Sequence, residues 1–364
     1  MTPQRRRAPD ESDIRVRPNP RGTRPRSKER PRHDDAAPAW VVAVDRGRYT
    51  CLLGEGTPDE HLVTAMKARE LGRSGVLVGD RVALVGDVTG DAGSLARVVR
   101  VEPRTSMLRR SADDTDPVER GIVANADQLA IVTALAEPEP RPRMVDRCLV
   151  AAYDSGLEPL LVLTKADLAD PEAFLSSYAP LAVRSLVTLA ARRDTSGHDV
   201  APWQGLDAVR AALTGRVTVL VGHSGVGKST LVNALVPGAG RATGTVNDVT
   251  GRGRHTSTSA VALRLPGGGW VIDTPGVRSF GLAHVDADRL VRLFPDLAAG
   301  TDECPRGCTH DEPECGLDAF VRAGGAGSAG TVRLASLRRL LHSRAGADDQ
   351  APDRPEPGGP SGHP

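Results

Sequence analysis

Three short motifs in this chain stand in an order that constrains its topology more tightly than any other feature of the sequence. Gly222-His223-Ser224-Gly225-Val226-Gly227-Lys228-Ser229 fits G-x-x-x-x-G-K-[ST], the loop that cradles phosphates between a strand and a helix. Thr164-Lys165-Ala166-Asp167 has the form T-K-x-D and lies upstream of that loop. Asp273-Thr274-Pro275-Gly276, a D-x-x-G sequence, lies downstream. In the ordinary nucleotide-binding arrangement the phosphate loop comes first and the base-reading motif last. The simplest account of the inverted order is a circularly permuted α/β domain in which all three motifs meet at one pocket.

The flanking patterns support that account. Val217–Val221 reads as a strand feeding the phosphate loop, and residues 229–235 open the next helix. Leu160–Leu163 reads as a buried strand with Thr164–Asp167 at its end, and Trp270–Asp273 as another that runs into the D-x-x-G motif. Gln128–Thr133 is a further buried strand. Residues 143–153 place Met144, Val145, Cys148, Leu149 and Ala152 on one helical stripe, and residues 206–213 fit a second helix. Each motif therefore falls at the carboxyl end of a strand, where open α/β sheets bind ligands. The domain is expected to span residues 104–285.

The chemistry of these residues is that of a guanine-nucleotide hydrolase. The loop glycines let successive N–H groups from Gly222 to Thr230 converge on phosphate oxygens, and the helix behind adds its partial positive charge. Lys228 reaches the β- and γ-phosphates, the Ser229 hydroxyl ligates Mg²⁺, and Thr230 lies near the α-phosphate. A carboxylate at Asp167 accepts from both N1–H and the exocyclic amine of guanine, whereas adenine presents an acceptor at N1. The stem of Lys165 covers the base. Asp273 holds Mg²⁺ through water, and the Gly276 N–H senses the γ-phosphate. Residues 251–258 have the Gly- and hydroxyl-rich character of a switch, where Thr256 or Thr258 supplies a second Mg²⁺ hydroxyl. Val277 follows Gly276, where a Ras-type enzyme has its water-orienting Gln. Valine cannot orient water, so His255 becomes the candidate for that task, completing a catalytic set with Lys228 and Gly276. An RNA- or protein-binding module that holds GTP with negligible turnover is the alternative that Val277 keeps open, and a GTPase acting on some other RNA partner is a third reading.

Composition bounds the rest. Hydrophobic residues make up 39% and charged residues 26%, as in a globular protein, and the net charge is +1. No apolar run approaches the about 18 residues of a membrane span, and the basic N-terminus has no apolar stretch behind it, so the chain is expected to be cytoplasmic. Residues 1–38 are Arg- and Pro-rich, expected to be disordered as either a solvating tail or an RNA-binding arm, and residues 346–364 likewise lack a core. Residues 39–103 hold short β-rich runs, 40–44, 49–53, 81–85 and 96–101, which suggest an OB-fold or an SH3-like barrel. With only Trp40 and Tyr49 as aromatics there, base stacking gives way to phosphate contacts from Arg48, Lys67, Arg69 and Arg73, or else these form a solvated face.

In residues 286–345, Cys304, Cys308, His310 and Cys315 supply three thiolates and an imidazole, a closed set for one structural Zn²⁺. Helices are expected at 317–322 and 331–342. The latter, with the residues after it, carries Arg333, Arg338, Arg339 and Arg344 as either a phosphate-binding or a solvated face.

A small barrel, motifs in the order T-K-x-D, G-x-x-x-x-G-K-S, D-T-P-G, and a Cys-Cys-His-Cys knuckle together resemble the ribosome small-subunit-dependent GTPase A family. The resemblance covers about residues 39 to 345 and is carried most specifically by residues 222–230 with Gly253-Arg254-His255-Thr256. It implies an N-terminal OB-fold barrel, a central circularly permuted P-loop GTPase and a C-terminal α-helical zinc-binding module. It further implies a monomer that takes GTP with Mg²⁺, releases GDP, and grips the small ribosomal subunit and its rRNA during late maturation. Hydrolysis is stimulated by the subunit, with His255 at the family's catalytic histidine position. The metal spacing is one residue shorter on each side than the common family pattern. Val187-Thr188-Leu189 matches poorly the S-A-like segment that usually flanks the base. A short connection from Gly276 to Cys304 offers a direct path from the switch to the metal module.

Overall fold

Small β-branched and aliphatic residues alternate with polar ones along residues 37–101, and the chain closes them into a barrel. In the structure, a computed structural model, these are β1 (Ala37–Asp45), β2 (Arg48–Leu53), β3 (His61–Lys67), β4 (Arg81–Gly86) and β5 (Ala96–Val101). β1 pairs with β2 and β4, β2 with β3, and β4 with β5, all antiparallel, while β3 and β5 run parallel. That closed order is the OB topology and separates it from the SH3-like alternative. A register shift between Val41 and Ala43 lets the one long strand β1 serve two neighbours. β3, which no sequence pattern singled out, exposes Leu62 and Met66 on either side of its inward residues Val63 and Ala65.

The described residues are 33–72, 75–110, 120–193, 199–239, 260–274, 280, 282 and 285–345. Arg73, the leader up to residue 32, the tail after residue 345, and His255, Thr256, Thr258, Gly276 and Val277 lie outside them.

A hairpin of β6 (Met107–Arg110) and β7 (Arg120–Ala124) leads from the barrel into the α/β domain. The domain then runs through β8 (Gln128–Ala134), α1 (Pro142–Asp154), β9 (Glu158–Thr164), α2 (Glu172–Tyr178) and β10 (Arg184–Val187). A small pair, β11 (Arg192–Arg193) and β12 (Asp199–Ala201), precedes α3 (Leu206–Leu213), β13 (Val217–Val221), α4 (Lys228–Leu235), β14 (Val261–Arg264) and β15 (Trp270–Asp273). Among the described residues four α-helices follow: α5 (Ala287–Val291), α6 (Pro295–Ala298), α7 (Gly316–Arg322) and α8 (Gly330–Ala345). The sheet order is β10-β9-β8-β13-β15-β14, parallel except for β14. The phosphate-loop strand β13 thus sits at the centre, although it comes late in the chain.

The barrel is joined to this sheet. β1 bridges β14 at Ala43 and Val261, so the ladder runs without an edge from one domain into the other. Side chains reinforce the join. Trp40 and Trp270 lie with ring centroids 4.5 Å apart, and the Trp270 indole donates to Glu55 at 2.9 Å. Arg264 grips Glu60 through two bonds of 2.7 and 2.8 Å and lies over the Trp270 ring. In a chain with 3% aromatics, two of its three tryptophans are spent on this one junction.

Two sequence expectations are corrected here. The α1 stripe underdescribes the helix. Asp146 and Arg147, which fall outside it, are 1% and 8% exposed, because α8 covers the side of α1 away from the sheet. The four arginines of α8 do not form a phosphate-binding or solvated face. Arg333 pairs with Asp296 at 2.6 Å and lies over Phe294. Arg338 chelates Asp318, Arg339 pairs with Asp146 and covers Tyr178, and Arg344 donates to the Val285 carbonyl. They staple the C-terminal helices to each other and to the α/β domain.

Trp40 is 1% exposed and its indole N–H donates to the Gly79 carbonyl at 3.0 Å. Trp40→Ala is expected to cost about 3–5 kcal/mol, read as a lower chemical-denaturation midpoint, with the loss in both the barrel and the α/β domain because the ring packs between them.

Candidate functional site

The parallel strands β9, β8, β13 and β15 deliver their carboxyl ends to one edge of the sheet. Ala134 stands opposite Thr164, Val221 opposite Ile131, and Leu220 opposite Asp273. The three motifs, scattered over the sequence, are therefore neighbours in space.

The phosphate loop is shaped by its glycines. Gly225 and Gly227 have φ of +84° and +87°, where a side chain is strained. A Cβ on Gly222 would sit 2.5 Å from the Val132 carbonyl, so only glycine lets the loop leave β13 against β8. Gly227 caps α4, whose first residues are Lys228, Ser229 and Thr230. Ser224, Gly225, Ser229 and Thr230 are exposed, His223 is half-buried, and Val226 is buried as the loop's anchor. The Lys228 ammonium contacts the Asp273 carboxylate, which brings the first and third motifs into direct contact. Thr274, next in the D-x-x-G motif, is buried and donates to the Leu220 carbonyl at 2.8 Å.

The second motif is tied to the same loop. The buried Thr164 hydroxyl donates to the Val226 carbonyl at 2.6 Å. Lys165 adopts a left-handed φ of 58°, turning the chain at the end of β9, and its ammonium contacts the Glu137 carbonyl. Ala166 donates from its N–H to the Thr188 carbonyl, and Asp167 is exposed on the turn that follows. An open, Gly-formed cradle with a lysine, a carboxylate and a hydroxyl-bearing helix start suits a triphosphate with a divalent cation.

One part of this pocket matched its expected motif poorly in the sequence, and another was not singled out there. Thr188, buried at the end of β10, donates to Leu163 from both its N–H and its hydroxyl, at 2.7 and 3.0 Å. Segment 187–189, a poor motif match, therefore still stands beside the Thr164–Asp167 turn. Pro138 places its Cδ 3.5 Å from where a Gly225 Cβ would lie, and with Glu137 it walls the loop. The signal was available, since this segment follows the carboxyl end of β8.

A second centre lies between α5, α7 and α8. The ligand atoms of Cys304, Cys308, His310 and Cys315 all fall within 4.8 Å of one another. The Cys304 and Cys315 sulfurs are 3.9 Å apart, and His310 Nδ1 is 3.6 Å from Cys304 Sγ. Tetrahedral Zn²⁺ with ordinary bond lengths requires about 3.8 Å between sulfurs and about 3.6 Å between sulfur and nitrogen. The residues fit such an ion, and the cluster could hold a metal.

The surroundings orient this cluster. His310 turns Nε2 toward Asp288, 4.0 Å away, leaving Nδ1 as the ligand atom. Arg338 donates to the His310 carbonyl at 3.1 Å. Glu312 accepts from Thr309 N–H and from the Thr309 hydroxyl, bonds that hold its carboxyl down at about 2 and shape the shortened loop. Burial pushes the Cys308 thiol up to about 11, so metal uptake must displace its proton.

The fold and the pocket define a P-loop GTPase whose strands are circularly permuted. By the match of its family model to residues 101–283 and by its curated relatives, the chain belongs to the RsgA GTPase family and is a GTP hydrolase. It is 36% identical over 308 residues to a small ribosomal subunit biogenesis GTPase RsgA of Gemmatimonas aurantiaca, covering 84% of this chain and 95% of the relative. The Pseudomonas aeruginosa protein of the same name is 39% identical over 278 residues, covering 72% and 77% of the two chains. Among solved structures, YjeQ from Thermotoga maritima matches with a TM-score of 0.57 at 26% identity, covering 85% of this chain and 99% of that one. YloQ, described as a circularly permuted GTPase, matches in fold with a TM-score of 0.58 at 21% identity, covering 89% and 100%. Among the described residues, no helix is long and apolar enough to cross a membrane.

The four-residue cluster packs among the C-terminal helices, with His310 and Cys315 buried and Cys304 and Cys308 half-buried, so removing a metal held there should act on stability. Chelation is expected to lower the melting temperature and to expose amides of residues 301–322 to hydrogen exchange, while nucleotide binding is retained. A melting curve with and without chelator, read beside a nucleotide titration, checks this.

Proposed function

We propose that the protein hydrolyses GTP to GDP and phosphate while engaged in small ribosomal subunit biogenesis, and that the subunit stimulates its turnover. The observation that carries the nucleotide assignment is the junction at the phosphate loop. Thr164 is bonded to Val226, and Lys228 contacts Asp273, so base reader, phosphate cradle and switch carboxylate share one pocket. The names of the relatives point to the ribosomal partner.

In this reading Asp167 accepts the two guanine N–H groups, with Lys165 over the base and Thr164 and Ala166 fixing the turn. The backbone of Gly222, His223, Ser224, Gly225, Val226 and Gly227 cradles the phosphates, aided by the start of α4 at Lys228, Ser229 and Thr230. Lys228 stabilises charge that develops on the transferred phosphoryl group. Ser229, Asp273 and Thr256 or Thr258 would hold Mg²⁺, which neutralises phosphate charge when bound. His255 orients the attacking water, and the Gly276 N–H reads the γ-phosphate. Cys304, Cys308, His310 and Cys315 hold one structural Zn²⁺. The barrel at 39–103 and the metal module at 286–345 flank the GTPase domain at 104–285, with 1–38 and 346–364 as polar extensions. The protein works as a cytoplasmic monomer on the subunit and its rRNA.

Two measurements test the assignment. His255→Ala, assayed with purified small subunits, is expected to lose about 10²–10³-fold of stimulated turnover with GTP affinity retained; equal stimulation in both proteins removes His255 from the mechanism. Asp167→Asn replaces an acceptor pair with an amide that can donate, so it is expected to weaken GTP on the order of 100-fold and to favour xanthosine triphosphate, whose C2 carries a carbonyl. Unchanged base preference in a competition titration contradicts the role.

A further inference from the structure

Arg147 is a charged residue in the middle of α1, 8% exposed, that no step of hydrolysis uses. Its guanidinium donates to two distant carbonyls. Nε bonds Phe280 O at 3.0 Å, with a second bond from Nη2, and Nη1 bonds Ser343 O at 3.0 Å. Phe280 is buried and lies six residues beyond Thr274, which is itself pinned to the phosphate strand through Leu220. Ser343 lies in the last turn of α8, where helix carbonyls lack intrahelical partners. From the same helix Arg338 holds the His310 carbonyl at the metal cluster. A planar fork of donors is thus shared between the chain leaving the D-x-x-G motif and the helix that braces the metal module.

We propose that Arg147 is a positioning residue that couples nucleotide state to α8, and through α8 to the metal module. This inference rests on the GTPase reading above. Displacing either carbonyl breaks a charge-assisted hydrogen bond of a buried guanidinium, which is costly, so the Phe280 backbone and the end of α8 hold one mutual register. A lysine carries the charge but cannot present that fork, and so does not fulfil the role.

Hydrogen exchange of the full-length protein, with GDP and with a non-hydrolysable GTP analogue, tests the coupling in wild type, Arg147→Lys and Arg147→Met. In wild type, amides in residues 336–345 should exchange at rates that differ at least about threefold between the two states. In both variants that difference should vanish, with nucleotide-dependent protection at residues 222–230 retained. Equal α8 exchange in both states of the wild type overturns the proposal. So does a variant that loosens α8 equally in both states and keeps the difference, since that is what a merely structural arginine would do. Should Arg147→Met fail to fold, Arg147→Lys decides by the same criterion. Absence of any nucleotide-dependent protection at 222–230 in wild type overturns the nucleotide reading itself, and the coupling with it.

Discussion

The structure depends on the parallel pairing of β13 with β8 on one side and β15 on the other. Parallel strands start from the same edge of a sheet and end at the opposite one, whatever their order along the chain. Once β13 is flanked in this way, the phosphate loop, the segment after β8 and Asp273 must emerge together. β9, paired to β8, adds the Thr164–Asp167 turn to the same rim. Permuting the chain changes which loops connect the strands and leaves the ladder, and hence the pocket, intact. The Thr164 hydroxyl then fastens two of the emerging segments at a backbone carbonyl, joining the end of β9 to the phosphate loop at its buried residue Val226.

Permutation does change what hangs from the domain. β14, which would otherwise end the sheet, is covered by the barrel through β1, with Arg264, Glu60 and the two tryptophans locking the contact. The chain leaving β15 enters the C-terminal helices instead of continuing through the α/β domain. Phe280, Leu282 and Val285 are buried in that packing, and Arg147 and Arg344 hold the carbonyls of Phe280 and Val285. Each flanking module is thus attached beside one end of the β14–β15 pair.

Much of this was legible in the sequence for identifiable reasons. The motifs are short-range and bear directly on chemistry, so Lys228, Thr164 and Asp273 could be placed without coordinates. The buried strands around them are apolar runs that have no other reading in an α/β pattern. β3 was missed because His61, Thr64 and Lys67 break the apolar pattern of His61–Lys67, and β14 because Val261–Arg264 is only four residues long. The arginines of α8 were misjudged for a different reason. Helical spacing shows which residues share a face, but whether an arginine meets phosphate, water or a carboxylate depends on what the tertiary fold brings up to it. Asp146, Asp296 and Asp318 are remote from those arginines in sequence, and no local pattern announces them. The same limit hid Arg147, whose burial arises only when α8 folds over α1.

The central claim is that segments out of their usual order build one guanine-specific pocket, with a carboxylate at the base end and an ammonium at the phosphate end. Equilibrium competition between GTP and ATP for the purified full-length protein tests it most directly. The account predicts that GTP binds at least about 100-fold more tightly, since adenine would leave the Asp167 carboxylate facing an acceptor. Comparable affinities for the two nucleotides would contradict it.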